Sequence, residues 1–321
     1  MRGTAPAVDR TGPPPAGPLE PYRFPAFGRR TLATGLTVLA APVPRAPLVD
    51  LSLVLPAGGR FDPPGAAGLA TLVSALLDEG TEERSALEIA AAVERLGGRL
   101  ETGADWNVAT VSVRLLAEYL EEGLRLLAEL LLRPTFPADE VERTRRHRLT
   151  DLLRRLDQPG VVASDHFSAL VYGGTVYGRP LVGVPEDVRA VDRETIVRFY
   201  RRHYGAGSAV LIGVGELDPE RFTALAREVF GGAAPGERVT APEIEPPAAA
   251  GRRVRIVDRP AGAQSELRIG HAGVPRSHPD WTALAVLDTL LGGKFTSRLN
   301  LNLRERHGFT YGVSCRFVPR L

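Results

Sequence analysis

The residues around Ser85 find a second version of themselves around Ser297, about 212 positions on, and this repeat restricts the architecture more than any other feature. In the first copy LVDLSLVLPAG (48–58) reads as a strand and GRFDPPG as a loop. AGLATLVSALLDEGT (67–81) reads as a helix, because Leu69, Leu72, Val73, Leu76 and Leu77 fall at i, i+3, i+4, i+7 and i+8. Ser85-x-x-Glu88 is a capping box that opens a helix over 86–96, stopped by Gly97-Gly98. RLETGADWNVATVSVRLL (99–116) alternates as two antiparallel strands with a turn near Gly103–Asp105. In the second copy ELRIGHAG (266–273) takes the place of the strand and TALAVLDTLLGGK (282–294) that of the first helix. Ser297 caps a helix ending at Gly308, and FTYGVSCRFV (309–318) returns as strand. A period this long is wrong for a solenoid and right for two homologous αβ domains.

Between the copies the pattern is mostly helical. Ahead of the first copy, TLATGLTVLAAPV (31–43) reads as a hairpin-like entry strand; after it, a Leu-rich helix spans 117–132. Pro137 opens a long helix to about Leu156, whose many arginines, interleaved with Glu140, Glu142 and Asp151, read as a solvated face. A further helix covers 160–172, and Asp192 and Asp218-Pro219 start two more on either side of a buried strand at 208–215. The expected division is a Pro/Gly-rich disordered tail (1–29), a first domain (30–232), a linker (233–251) and a second, incomplete domain (252–321). The short second copy is consistent with a fragment, a truncated gene, or a sheet completed by another chain.

At 44% apolar and 24% charged residues, with a net charge of +2, the composition carries no nucleic-acid or membrane signature. No apolar run reaches the roughly 18 residues of a membrane span, and the first residues lack the apolar core of a signal peptide, so a cytoplasmic location is expected. The single cysteine, Cys315, provides neither a disulfide framework nor a thiolate cluster for metal. The abundance of Arg, Ala, Gly and Pro reads as the bias of a GC-rich genome.

On the 67–81 helix, Thr71, Ser74, Ala75 and Asp78 share the face opposite the apolar stripe. That stretch, with GGRFDPPG before it and SALEIAAAVERLGG after it, resembles the pitrilysin/insulinase family of zinc peptidases. Those enzymes carry an inverted zinc motif, H-x-x-E-H, on this helix ahead of a Gly-Thr pair. Aligned on Gly68-Leu69-Ala70 and Gly80-Thr81, the two histidine positions are Thr71 and Ala75, the glutamate position is Ser74, and a third ligand would fall near Asp151. A hydroxyl and a methyl group do not replace imidazoles, and Ser74 is no carboxylate base, so no zinc is expected in this chain. The resemblance covers about Arg30–Phe317 and implies an α+β protein of two homologous domains, each an antiparallel sheet with packed helices, the second truncated.

The resemblance also singles out TSRLNLNLRERHGFTYGV. In the family's zinc-free halves, an arginine and a tyrosine of this stretch face the zinc half across a closed chamber and help bind the substrate backbone and oxyanion. The matching positions are Arg304 and Tyr311, both hydrogen-bond donors suited to a developing oxyanion. The plain alternative is a surface arginine paired with Glu305 or Glu101 and an ordinary strand tyrosine; Arg298 reads as structural. Other chemistry lacks its frame. The six histidines show no H-E-x-x-H or H-x-x-E-H spacing, and Ser164, Asp165 and His166 are neighbours in one helix and do not converge as a triad. The glycines of GVGE (213–216) and YGG (172–174) are turns and not a nucleotide loop. Trp106 and Trp281 read as core or interface anchors.

Two functions of different class therefore remain. One is the non-catalytic partner of a zinc-bearing homologous subunit, a heterodimer in which this chain helps bind peptide. The other is a structural or interaction module with no share in proteolysis. A peptidase acting alone would need replacement ligands drawn from distant histidines, which the spacing does not offer.

Overall fold

A computed structural model describes residues 12, 17–18, 21–234, 239–242, 244, 251–260 and 262–320. The expected tail (1–29) and linker (233–251) lie largely outside them. The ordered unit is built on one six-stranded sheet of β1 (Gly28–Thr31), β2 (Thr37–Pro42), β3 (Leu48–Leu55), β4 (Arg99–Ala104), β5 (Ala109–Leu116) and β6 (Val210–Gly215). Their spatial order is β1-β2-β6-β3-β5-β4. Every pair is antiparallel except β2 with β6, so the sheet is antiparallel with one parallel join. That join brings a strand from residue 210 into the middle of a sheet begun at residue 28.

Alternation decides which face is covered. On β3, Val49, Leu51, Leu53 and Leu55 are buried while Asp50, Ser52 and Val54 are half-buried on the other face. Residues opposite them on β5 repeat the pattern, with Val111, Val113 and Leu115 buried. Such a period-two pattern marks a sheet with helices on one face. The helices are α1 (Leu69–Ser74), α2 (Ala86–Arg95), α3 (Leu120–Leu132), α4 (Ala138–Leu156), α5 (Pro159–Tyr172), α6 (Pro185–Ala190), α7 (Arg193–His203) and α8 (Pro219–Phe230). Of these, α3 packs on β3 and β5, α8 on β2, and α1 on β4 and β5. The side-chain caps predicted around this sheet are all present. Ser85 and Glu88 form a reciprocal box, and the side chains of Asp192 and Asp218 accept from Thr195 and Arg221 N–H.

The first helix is shorter than its apolar stripe. Only Leu69–Ser74 is α-helical, and turns carry the chain on through Asp78, yet all five stripe leucines and valines are buried. Ala75, with φ −72° and ψ −7°, stays in the right-handed region but ends the α-helical ladder, and turns lead on toward Gly80. The β4–β5 turn also falls later than expected, at 105–108, where the Asp105 carboxylate accepts from Asn107 and Val108 N–H.

The second copy departs most from expectation. Its first helix forms as α9 (Trp281–Asp288) and runs into a π-helical turn at Thr289–Gly293. A second π-helix covers Asn300–Arg306. Ser297 does not cap it; its hydroxyl instead accepts from the buried Asn300 side chain, which also bonds the carbonyls of Lys294 and Val313. Neither 266–273 nor 309–318 forms a strand among the described residues, and Leu267, Ile269 and Phe309 are exposed. β-branched and aromatic residues favour a pleated, half-buried surface, and without a neighbouring strand or a covering layer the preference is not realised. Polar contacts fix part of this segment to α5: Arg268 donates to the Ser164 hydroxyl at 3.0 Å and the Gly160 carbonyl at 2.9 Å.

His203, at the end of α7, is buried between Phe199 and Phe61. It bonds the Pro56 carbonyl, while its Nδ1 is buried with no partner among the described residues. Burial, helped by the charge of Arg202, pushes its pKa down to about 4. A folded-state value below the free value of about 6.5 means this neutral ring supports the fold fully above pH 6.5 and less as pH falls toward 4. From pH 7 to pH 4.5 this group contributes a loss of up to about 2–3 kcal/mol, opposed by the buried Asp62, whose raised pKa has the opposite sign. The urea stability of wild type relative to His203→Gln should therefore fall by about that amount over the range, and an unchanged difference would contradict it.

Candidate functional site

Helix α1 carries the three positions that matter, and its start is held in an unusual way. The buried Asp62 carboxylate accepts from Gly68 and Ala70 N–H, both at 2.8 Å, and Asp187 accepts from Ala67 N–H at 2.9 Å. These bonds satisfy N–H groups that a helix start leaves without intrahelical partners. Burial pushes the Asp62 pKa up to about 7, against the pull of those two N–H groups and of Arg179. Gly68 and Gly183, both at positive φ, let the backbone of α1 approach the 182–183 loop with no side chain between.

Within this frame the three positions face inward. Thr71 and Ser74 are buried and Ala75 is half-buried. Both hydroxyls bond back to their own helix: Thr71 to the Gly68 carbonyl at 2.8 Å and Ser74 to the Thr71 carbonyl at 3.2 Å. Asp78, which shares their side of the stretch, has its pKa raised by burial.

The α4 residue that meets them is Arg148 and not Asp151. Arg148 Nη1 donates to Thr71 Oγ1 at 2.7 Å and to the Val182 carbonyl at 3.3 Å. Asp151 is exposed and pairs outward with Arg154 at 3.6 Å. Arg148 is half-buried, has no ion pair among the described residues, and burial lowers its pKa. The solvated-face reading of the α4 arginines thus holds for Arg146 and Arg154, while Arg148 is a site residue that this reading missed. A signal was present: Val141, Arg145, Arg148 and Leu152 lie at i, i+4, i+7 and i+11, the stripe that α4 turns inward. A second α4 arginine also reaches this region, since Arg143 pairs with Glu79 at 2.5 Å, just past Asp78.

These groups do not fit a zinc ion. Thr71 and Ser74 supply neutral hydroxyls already engaged, Ala75 supplies nothing, and the group turned toward them is itself a cation. Among the described residues no cluster of three His, Cys, Asp or Glu side chains is placed to hold a metal.

The other candidate pair lies in the second copy. The guanidinium of Arg304 stacks over the Phe295 ring at 4.1 Å and reaches Glu305 at 3.6 Å. Tyr311 is 88% exposed. The turn at Gly308, with φ +63°, reverses the chain between them, and Gly308 N–H bonds the Arg304 carbonyl. No hydrogen bond joins Arg304 to Tyr311 among the described residues. Of the two tryptophans, Trp106 packs edge-on against Tyr177, with the Arg320 guanidinium 5.7 Å from its ring centroid. Trp281 has Arg276 at 5.9 Å.

Comparison with known proteins places this geometry. Residues 37–184 match the family model for insulinase (peptidase family M16), and residues 190–320 match that for the peptidase M16 inactive domain. The junction falls ahead of α7, so β6, which completes the first sheet, and α8, which packs on it, lie within the second matched segment. An uncharacterized zinc protease of Mycobacterium tuberculosis is 30% identical over 94% of this chain and 69% of its own length. One of Streptomyces coelicolor is 27% identical over 89% of this chain and 63% of its own. The chain thus spans roughly two thirds of the length of these relatives. Among solved structures, a peptidase M16 inactive domain from Pseudomonas fluorescens superposes with a TM-score of 0.79 at 29% identity, covering 92% of this chain and 71% of that one. A Helicobacter pylori protease at 21% identity and TM-score 0.80, covering 89% of this chain and 70% of its own, shares the fold. The sheet with its packed helices, the matched segments and the shared sequence agree: this chain belongs to the insulinase (M16) peptidase family.

Proposed function

We propose that this chain is the non-catalytic partner of a zinc-bearing homologous subunit and helps that subunit bind peptide. The observation that carries this reading is the α1–α4 seam. Helix α1 keeps its buried apolar face and a start held by Asp62, while the positions that the family resemblance gives to metal ligands and base hold Thr71, Ser74 and Ala75. Zinc belongs to the partner in this reading and not to this chain. Arg304 and Tyr311 face the partner's zinc half across a chamber, where the phenol and guanidinium donate to the substrate backbone and to the oxyanion. In this reading the two homologous domains, 30–232 and 252–321, joined by the linker at 233–251, make up this chain's side of that chamber. A cytoplasmic location suits this role; among the described residues no helix is long and apolar enough to cross a membrane.

A second reading, an interaction module with no share in proteolysis, draws on a different observation. Arg304 is engaged by Phe295 and Glu305 within its own chain, and Tyr311 stands in solvent. Co-expression with a homologue carrying intact H-x-x-E-H tests the proposal. A stable complex whose peptide turnover exceeds that of the zinc subunit alone is expected. A complex with no gain in turnover, or no association at all, would overturn the partner role and leave the interaction module.

A further inference from the structure

We propose that Arg148 is a resident cation in the metal position of this fold and that it, and not the missing ligands alone, bars a divalent ion from the α1–α4 seam. This role of Arg148 does not depend on a partner subunit. Arg148 leaves α4 from its inward stripe and brings a guanidinium nitrogen to 2.7 Å from Thr71 Oγ1, at the first ligand position of the zinc motif. The Val182 carbonyl accepts from the same nitrogen at 3.3 Å. Two acceptors on one N–H-bearing atom fix where the charge sits, and the Asp62 clasp fixes α1 beneath it.

Two consequences follow for an incoming metal. A histidine placed at position 71 would meet an N–H donor at the lone pair it needs for zinc. Arg148 also puts a unit positive charge within a few ångströms of a divalent ion, in a half-buried setting where water screens poorly. No carboxylate among the described residues forms an ion pair with Arg148: Asp151, one turn on, offsets part of the charge at a distance but pairs with Arg154, and the neighbouring Arg155 opposes that offset while pairing with Asp165. Restoring the motif residues alone therefore recovers metal binding only weakly.

The test compares full-length chains carrying Thr71→His, Ser74→Glu and Ala75→His, with Arg148 kept or changed to Ala, Gln or Glu. Zn²⁺ affinity is read by equilibrium dialysis and site geometry by Co²⁺ visible absorption, with circular dichroism as the check on folding. Two neutral replacements are included because Gln keeps more of the side chain's volume than Ala. The expected order is weakest binding with Arg148 kept, about 100-fold tighter or more with a neutral residue, and tightest with Arg148→Glu. That last change supplies an α4 carboxylate facing position 71. Equal Zn²⁺ affinity with Arg148 kept and with a folded neutral replacement would overturn the proposal. So would a tetrahedral Co²⁺ spectrum in the triple variant that still carries Arg148. None of these readouts depends on peptide turnover, so they stand apart from the test of the partner role.

Discussion

Truncating Arg304 to alanine, or removing the Tyr311 hydroxyl with phenylalanine, is expected to cut peptide turnover by a complex of this chain with a zinc-bearing homologue while leaving its assembly intact. A donor aimed at a developing oxyanion contributes about 2.7–4 kcal/mol, or about 100- to 1,000-fold in rate. The alternative has a different size and a different observable. An arginine that only stacks on Phe295 and reaches Glu305, at a third exposed, contributes within about 0.5 kcal/mol to stability and nothing to rate. Turnover and affinity measured side by side for each variant separate the two. A rate loss at constant affinity assigns the pair to substrate, and unchanged turnover with both residues altered leaves the interaction module.

Gly183→Ala is expected to be among the most damaging single methyls in the first domain, at about 3–5 kcal/mol. Gly183 has φ +87°, and a Cβ there would lie 2.2 Å from the Ala67 carbonyl oxygen, so strain in the backbone adds to a clash with backbone that has no rotamer to escape into. Gly97 provides the control. It has φ +59°, and a Cβ there would meet no atom within 4 Å, so Gly97→Ala meets conformational strain alone, about 1 kcal/mol. Urea midpoints for the two variants should differ by several-fold in their shift from wild type. Similar shifts would mean that the α1 start and the 182–183 loop are not in backbone contact.

Where local chemistry decided the structure, the residues announced it. Ser85, Asp192 and Asp218 are caps by side-chain type and spacing, and each accepts the N–H expected of it. The stripe from Leu69 to Leu77 identified a buried face correctly while overstating the helix, because burial periodicity survives a run of helix-like turns and hydrogen bonding does not. Thr71, Ser74 and Ala75 could be located by resemblance, but what faces them could not. Arg148 is one of many arginines on α4, and only the packing of that helix separates the inward one from those in water. The strands expected at 266–273 and 309–318 fail for the converse reason. Their side chains suit a sheet, and a strand exists only when another lies beside it.

The metal content of the purified chain tests most directly whether this peptidase fold has lost its zinc site. Element analysis of protein prepared without chelators, together with a peptide-hydrolysis assay on the same sample, should find no stoichiometric zinc and no turnover. Thr71, Ser74 and Ala75 supply neither ligands nor base, and Arg148 holds a positive charge where a metal would sit. One zinc per chain with chelator-sensitive peptidase activity would contradict it.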